Sequence, residues 1–219
     1  MSLSITSPSE WTAVDLAELL GPVPLQRICM RPAPGTGDES DVVRFEAREN
    51  RLFELFRGVL VEKSMGFFES YLAGVLLRII GNFVEEKKLG IVAGADGAIR
   101  LSQGLIRIPD VAYYSFQRLT DGRIPSAPIA DLVPNLVIEV LSRSNTREEM
   151  TQKLKDYFEH GVQLVWYVQP AERSVMVFAD PEDSTTLNEI DELSGGHVLP
   201  GFRLSIRQLF REPQPSQDR

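Results

Sequence analysis

The chain has 219 residues, of which 43% are hydrophobic and 25% charged, a balance that excludes a disordered chain and one made mostly of membrane spans. Its 31 acidic and 23 basic residues give a net charge of -8, which argues against a protein built to coat nucleic acid. Cys29 is the only cysteine, so an intrachain disulfide and a cysteine-based zinc site are excluded as well.

Near the N-terminus, Ser7, Pro8 and Glu10 have the spacing of a capped helix start. Apolar residues from Trp11 to Leu20 continue that helix to a stop at Gly21. Arg31 to Ser40, with Pro32, Pro34, Gly35 and Gly37, reads as a linker. Residues 1–40 are therefore expected to form a helical arm that docks on the body or on a second copy, a route to a homodimer. The main domain is expected over 41–211, with a disordered tail over 212–219.

Arg51–Phe56 and Val59–Lys63 flank Arg57-Gly58 as a hairpin. From Gly66 to Lys88, apolar residues at 67, 71, 75, 79 and 83 run beside a second row at 68, 72, 76, 80 and 84. Two such rows predict a long helix with a wide buried face. Strand-like segments follow at 91–93, 98–101 and 106–114, then a proline-marked loop and the apolar run Leu136–Leu141. Thr146 and Glu149 make a capping box for a helix ending at His160-Gly161. Strands are expected at 162–168 and 174–179. Asp180, Glu182, Asp183, Glu189, Asp191 and Glu192 then lie in a stretch without Lys or Arg that reads as an acidic loop. Residues 199–210 close the domain.

Several chemistries lack their residues. His160 and His197 are the only histidines and neither has ligand or triad spacing. No G-x-S-x-G, phosphate loop or G-x-G-x-x-G is present. No stretch reaches the ~18 consecutive apolar residues of a membrane span, and the N-terminus lacks the pattern of a secretory leader. A reducing cytoplasm and no membrane partner are the expectation.

Two carboxylates stand in apolar surroundings. Alternation through 106–114 places Asp110 on a face with Ile106, Ile108, Ala112 and Tyr114. Glu139 interrupts a strand that reads as buried on both faces. Such groups must be paired, protonated or bound to metal. If the following helix folds back along its strand, Lys153 returns to the level of Glu139, since about three strand residues and seven helix residues both span ~10 Å. Two carboxylates and an ammonium at one point suit metal-assisted phosphodiester hydrolysis with Mg2+ or Mn2+. Structural ion pairs are the other reading, Glu139 with Lys153 and Asp110 with an arginine such as Arg107 or Arg100.

Pro109-Asp110-Val111, then Pro134 through Ser142, then Lys153 through Phe158, then Gly161-Val162 and Val165 through Pro170 resemble the Uma2 family. That family of restriction-endonuclease-like proteins is assigned to the PD-(D/E)XK nuclease superfamily. The resemblance covers about Arg51 to Phe210. It implies an α/β fold of the restriction-endonuclease type, a central mixed β-sheet flanked by helices, here with an N-terminal helical arm. It also implies a Mg2+-dependent nuclease with DNA as substrate.

Residue by residue, Asp110 and Glu139 match the metal-holding acids. Leu141 stands where the superfamily has its lysine, and Lys153 matches the Uma2 lysine on the next helix. Glu62 to Ser70 falls where many members carry a histidine, which makes Glu69 a further candidate catalytic acid, a solvated first-turn acid favoured by the helix dipole being the other reading. Glu54 and Glu62 rank below it, and Tyr157 is a candidate for the site wall. The alternative function is a nuclease-like domain without catalysis that binds protein or nucleic acid.

Overall fold

A computed structural model describes residues 11–212 and 214. In chain order it contains α1 (Ala13–Leu20), α2 (Glu39–Glu49), β1 (Phe53–Phe56), β2 (Val59–Glu62) and α3 (Phe67–Lys87). Next come β3 (Gly90–Ala93), β4 (Ala98–Ser102), β5 (Leu105–Arg107), β6 (Val111–Ser115), β7 (Ile129–Ala130), β8 (Leu136–Val140) and α4 (Arg147–Glu159). The chain continues through β9 (Leu164–Gln169), β10 (Ser174–Phe178), β11 (Ser184–Leu187), β12 (Glu192–Ser194), β13 (Arg203–Ser205) and the short α5 (Ile206–Leu209).

The strands form a five-stranded sheet, β2-β1-β5-β4-β7, a six-stranded sheet, β11-β10-β9-β8-β6-β3, and a β12–β13 ribbon. The six-stranded sheet is mixed: β8 and β9 run parallel, and its other pairs are antiparallel. Parallel neighbours need a crossover, and α4 supplies it. Thr146 and Glu149 make the predicted capping box at the start of α4.

Alternation along the strands sorts the side chains into layers. Val111, Tyr113, Ile138, Val140, Trp166 and Val168 meet Leu72, Leu76, Ile80 and Val84 of α3 in one core. Ala112, Tyr114, Val137, Val165 and Tyr167 leave the opposite face of that sheet and meet Met150, Leu154 and Tyr157 of α4. Phe56, Ile99 and Leu105 of the five-stranded sheet close over this second core, so α4 lies between the two sheets. The outer face of the five-stranded sheet packs Phe53, Leu55 and Ile106 on Val42 and Phe45 of α2.

Several expectations change in the folded chain. Pro109 divides the expected 106–114 strand, because proline offers no N–H to a ladder. β5 and β6 therefore belong to different sheets, and Asp110 keeps the face of Ala112 and Tyr114 but not that of Ile106 and Ile108. Of the two apolar rows on α3, the one through Leu72, Leu76, Ile80 and Val84 is buried, whereas Phe67 and Tyr71 of the other are exposed. By length and composition α3 would also suffice to cross a membrane, although its buried row lies against a sheet. Part of the acidic stretch is strand, with β11 on β10 and β12 on β13.

The predicted helix start at Ser7 lies outside the described residues, as does most of the C-terminal tail. Within them α1 begins after Thr12, whose side chain and that of Asp15 form the cap. The segment read as a linker is fastened down. Gly35 and Gly37 donate N–H groups to the Gly58 carbonyl, both at 2.8 Å. Arg57 and Gly58 have φ of 50° and 74°, as a two-residue hairpin turn requires. A Cβ on Gly58 would lie 2.4 Å from the Gly35 carbonyl oxygen, so this approach requires glycine. α2 starts at Glu39, inside the expected arm, capped by Asp38.

The arm is tied to the body by Leu16, Val23 and Ile28, which pack on Val59 and Val61. Arg27, in a single 3-10 turn, grips the buried Glu149 through two hydrogen bonds of 2.8 and 3.0 Å. Arg27→Met should leave that carboxylate without its cation and lower stability by about 3 kcal/mol, the lower end for breaking a buried pair. A denaturation midpoint unchanged from the parent protein would show that this arm contact does not stabilise the body.

Candidate active site

The two sheets and α4 each send charge into the space between them. β8 carries Glu139 on its α4-facing side, and Asp110 lies just before β6, its N–H bonded to the Ile138 carbonyl at 3.1 Å. From α4, Lys153 places Nζ 2.7 Å from Glu139 Oε1 and 2.9 Å from Glu54 Oε1. Glu54 comes from β1, on the face shared with Phe56. Its carboxylate also takes the Ile108 N–H at 3.1 Å and Arg107 Nη1 at 3.0 Å. Arg107 in turn pairs with Asp156 of α4, and Tyr157 donates its hydroxyl to Glu139 Oε1 at 2.5 Å.

Asp110 completes the cluster from the other side. One oxygen meets Lys63 Nζ at 2.7 Å, and the other accepts the Val140 N–H at 2.7 Å. Lys63 also donates to the carbonyls of Ile108, at 2.7 Å, and Ala95, at 3.0 Å. A cavity of about 20 Å³ lies among Arg27, Glu54, Lys63, Asp110, Glu139 and Lys153, room for about one water-sized sphere. Five buried carboxylates (Glu54, Asp110, Glu139, Glu149 and Asp156) face four cations (Arg27, Lys63, Arg107 and Lys153) in this neighbourhood. One negative charge is left over.

The excess falls on Glu139. Burial pushes its carboxyl above the usual glutamate range, repulsion from Asp110 and Glu54 adds to the rise, and Lys153 opposes it. Burial also works against charge on Glu54, but Lys153 and Arg107 outweigh it and hold that carboxyl down to about 2. The difference is that Glu54 draws on two cations, Lys153 and Arg107, and on the Ile108 amide, whereas Glu139 has only a share of Lys153. Burial would lower the Lys153 ammonium, yet Glu139 and Glu54 raise it above the ordinary lysine range. Lys153 thus holds its proton at neutral pH. Burial and the neighbouring carboxylates likewise keep the Tyr157 hydroxyl protonated.

The structure brings Asp110, Glu139, Lys153 and Tyr157 together, and it leaves Glu69 out. Glu69 is in the first turn of α3, on the wall of an adjoining cleft with Ser142 and Arg143. Glu62 is also outside, paired with Arg51 at 2.7 Å. The arginine partners considered for Asp110 are engaged elsewhere: Arg100 pairs with Glu39, and Arg107 with Glu54 and Asp156. Among the described residues, no three of His, Cys, Asp and Glu converge as a ready cation cage.

The Uma2 family model, described as a putative restriction endonuclease, matches residues 40–207. The chain belongs to the Uma2 family. A crystal structure of a putative nuclease belonging to DUF820, from Anabaena variabilis, is similar over 73% of this chain and 89% of that one, with a TM-score of 0.64 and 20% identity. At that identity the likeness establishes a shared fold. No curated protein matches the chain.

For this Uma2 chain, sequence reasoning ranked Glu54 too low and gave Lys63 and Arg27 no place in the site. Glu54 did carry a signal, since it interrupts the apolar β1 between Phe53 and Leu55. Lys63 had none: a lysine at a strand end ordinarily reads as solvated. Leu141 packs against the core around α4, and the ammonium beside Glu139 is that of Lys153.

The raised Glu139 carboxyl has a sign that can be measured in chelator. Because its folded-state value lies above the unfolded one, its stabilising contribution is full at acidic pH and is lost as pH rises through the raised value. Glu139→Gln keeps an acceptor for Tyr157 and leaves Lys153 paired with Glu54. Its melting temperature relative to the parent should therefore climb as pH rises above the usual glutamate range. A structural Glu139–Lys153 pair predicts instead a loss of about 3–5 kcal/mol at neutral pH, and such a loss would refute this account of the cluster.

Proposed function

We propose that the chain is a divalent-metal-dependent endonuclease that hydrolyses DNA phosphodiester bonds. The observation that carries this reading is the convergence of Asp110, Glu139 and Lys153 on one small cavity with an uncompensated negative charge. Oxygen donors from two carboxylates, with further positions left to water and phosphate, suit Mg2+ or Mn2+. The residues present fit such an ion. Asp110 and Glu139 would hold it, and when bound it would polarise the phosphate and acidify a water.

The chain's own groups have definable tasks. The Val140 N–H and the β8 ladder fix the direction of the Asp110 carboxylate. Tyr157 and Lys153 hold Glu139 in one orientation by binding the same oxygen. As a retained ammonium, Lys153 orients the nucleophile and offsets charge on the phosphate. Proton abstraction by Lys153 is disfavoured between two carboxylates.

A second reading is supported by the ion pair that Asp110 already makes without metal, with Lys63 at 2.7 Å. It is a nuclease-like domain that binds nucleic acid or protein without cleaving it. Purified protein with plasmid DNA should show cleavage in Mg2+ or Mn2+ that EDTA abolishes, and Asp110→Asn should lower it at least about 100-fold, the scale of losing one charge-stabilising group. Full cleavage in excess EDTA would exclude this mechanism. Absence of cleavage with either ion, together with measured Mn2+ binding, would favour the second reading.

Lys63 supplies a separate test. Its ammonium sits on one of the two carboxylates proposed for the metal, so the two cations compete. Lys63→Met should lower the melting temperature in chelator by stranding Asp110, and enlarge the rise that Mn2+ produces. Calorimetric Mn2+ affinity equal to or weaker than that of the parent would rule the competition out.

A further inference from the structure

The first turn of α3 displays aromatic side chains that the core does not use. Phe67 is 93% exposed, Phe68 40% and Tyr71 37%. Phe68 and Tyr71 stand three residues apart on one helix face, their rings stacked at 6.3 Å with an interplanar angle of 16°. Through Phe68 the stack meets a cleft of about 590 Å³ whose other walls include Glu69, Ser142, Arg143, Gln169 and Glu172. Contiguous exposed apolar surface beside a cleft is a feature of interaction sites.

Both walls of this cleft are continuous with the carboxylate cluster. β8 delivers Glu139 to the cluster, and Ser142, three residues on, lies at most about 10 Å away along the chain. Lys63 and Ser64 line the cluster cavity, and Phe67 and Phe68 follow within five residues. A nucleic-acid strand with a phosphate at Asp110 and Glu139 would therefore present an adjoining base to the cleft.

The chemistry of the walls favours a base over a phosphate. Glu69 and Glu172 would repel backbone phosphates, with Arg143 the one cation lining the cleft among the described residues. Carboxylates do accept hydrogen bonds from exocyclic amino groups of bases, and a guanidinium can stack on a base face. With a net charge of -8, the chain gains little of the attraction to backbone phosphates that normally draws protein to nucleic acid, single- or double-stranded. Stacking is the contribution that remains, and it needs bases out of the helix.

We infer that the Phe68–Tyr71 stack and its cleft bind an unstacked nucleobase, so that the site takes single-stranded or locally opened nucleic acid. This rests on the nuclease reading of the neighbouring cluster, but it is tested by binding in EDTA, where cleavage plays no part. The probe is a short fluorescent single-stranded deoxyadenylate, compared with an abasic oligonucleotide of the same length and with a blunt duplex. The parent protein should prefer the base-bearing single strand. Phe68→Ala should weaken that binding about 5- to 150-fold, the range for one base–aromatic stack, with no effect on the abasic strand. Phe68→Trp should retain affinity, and its new fluorescence should be quenched by the base-bearing strand alone. Equal affinity for base-bearing and abasic strands would overturn the inference. So would a Phe68→Ala variant that changes only self-association, which would make this face a contact between copies. Loss of cleavage with base-selective binding intact would count against the nuclease reading and leave this site standing.

Discussion

Lys153 reaches Glu139 at 2.7 Å and Glu54 at 2.9 Å, and through that one ammonium α4 is joined to both sheets. Burial on every side makes the arrangement demanding, since an unpaired charge here would cost several kcal/mol. One turn along α4, Arg107 of β5 adds a second tie between the helix and the five-stranded sheet, bridging Asp156 and Glu54. The sheets, the crossover helix and the hairpin must all be in place before these charges are satisfied. The electrostatics thus specify how the layers are stacked, while the apolar contacts on either side of α4 supply the burial. A layer shifted by one residue would turn Glu54 or Glu139 to the opposite face of its sheet.

The same network separates two kinds of carboxylate. Glu54 is held ionised by two cations, Lys153 and Arg107, and serves the architecture. Glu139 is left with a share of one lysine, beside Asp110, and carries the strain of the leftover charge. Folding alone gains little from that arrangement. It becomes intelligible if a further positive charge visits the cavity, and this links the packing of α4 to the proposed chemistry.

Much of this was legible in the residues. The strand–helix–strand order of β8, α4 and β9 followed from periodicity and a capping box, and the return of Lys153 to Glu139 followed from the rise of a strand and a helix once the helix folds back along its strand. The split into two sheets was not legible, because β5 and β6 read as one alternating run and Pro109 marks only a break, not a change of partner. Arg27 and Glu149 are 122 positions apart, and no local pattern announces a pair that only tertiary packing creates. Arg27 also lies before residue 40, where the family match begins, so a wall of the cavity comes from chain that family comparison leaves out. The exposed aromatics of α3 fit the period of a buried row, and only the position of the sheet decides which row is covered.

Enclosure of α4 on two sides has a mechanical consequence. Glu139, Lys153 and Tyr157 are mounted on elements gripped by close-packed neighbours, and Asp110 is pinned through the Val140 amide. The opposite wall, Lys63, follows β2 and reaches the cavity on a long stem, held there by bonds from its ammonium to Asp110, Ile108 and Ala95 that an incoming cation would have to displace. The centre therefore resembles a vice with one fixed jaw and one sliding jaw. An incoming cation would meet the fixed jaw in its final shape, and adjustment for size would fall to a single side chain.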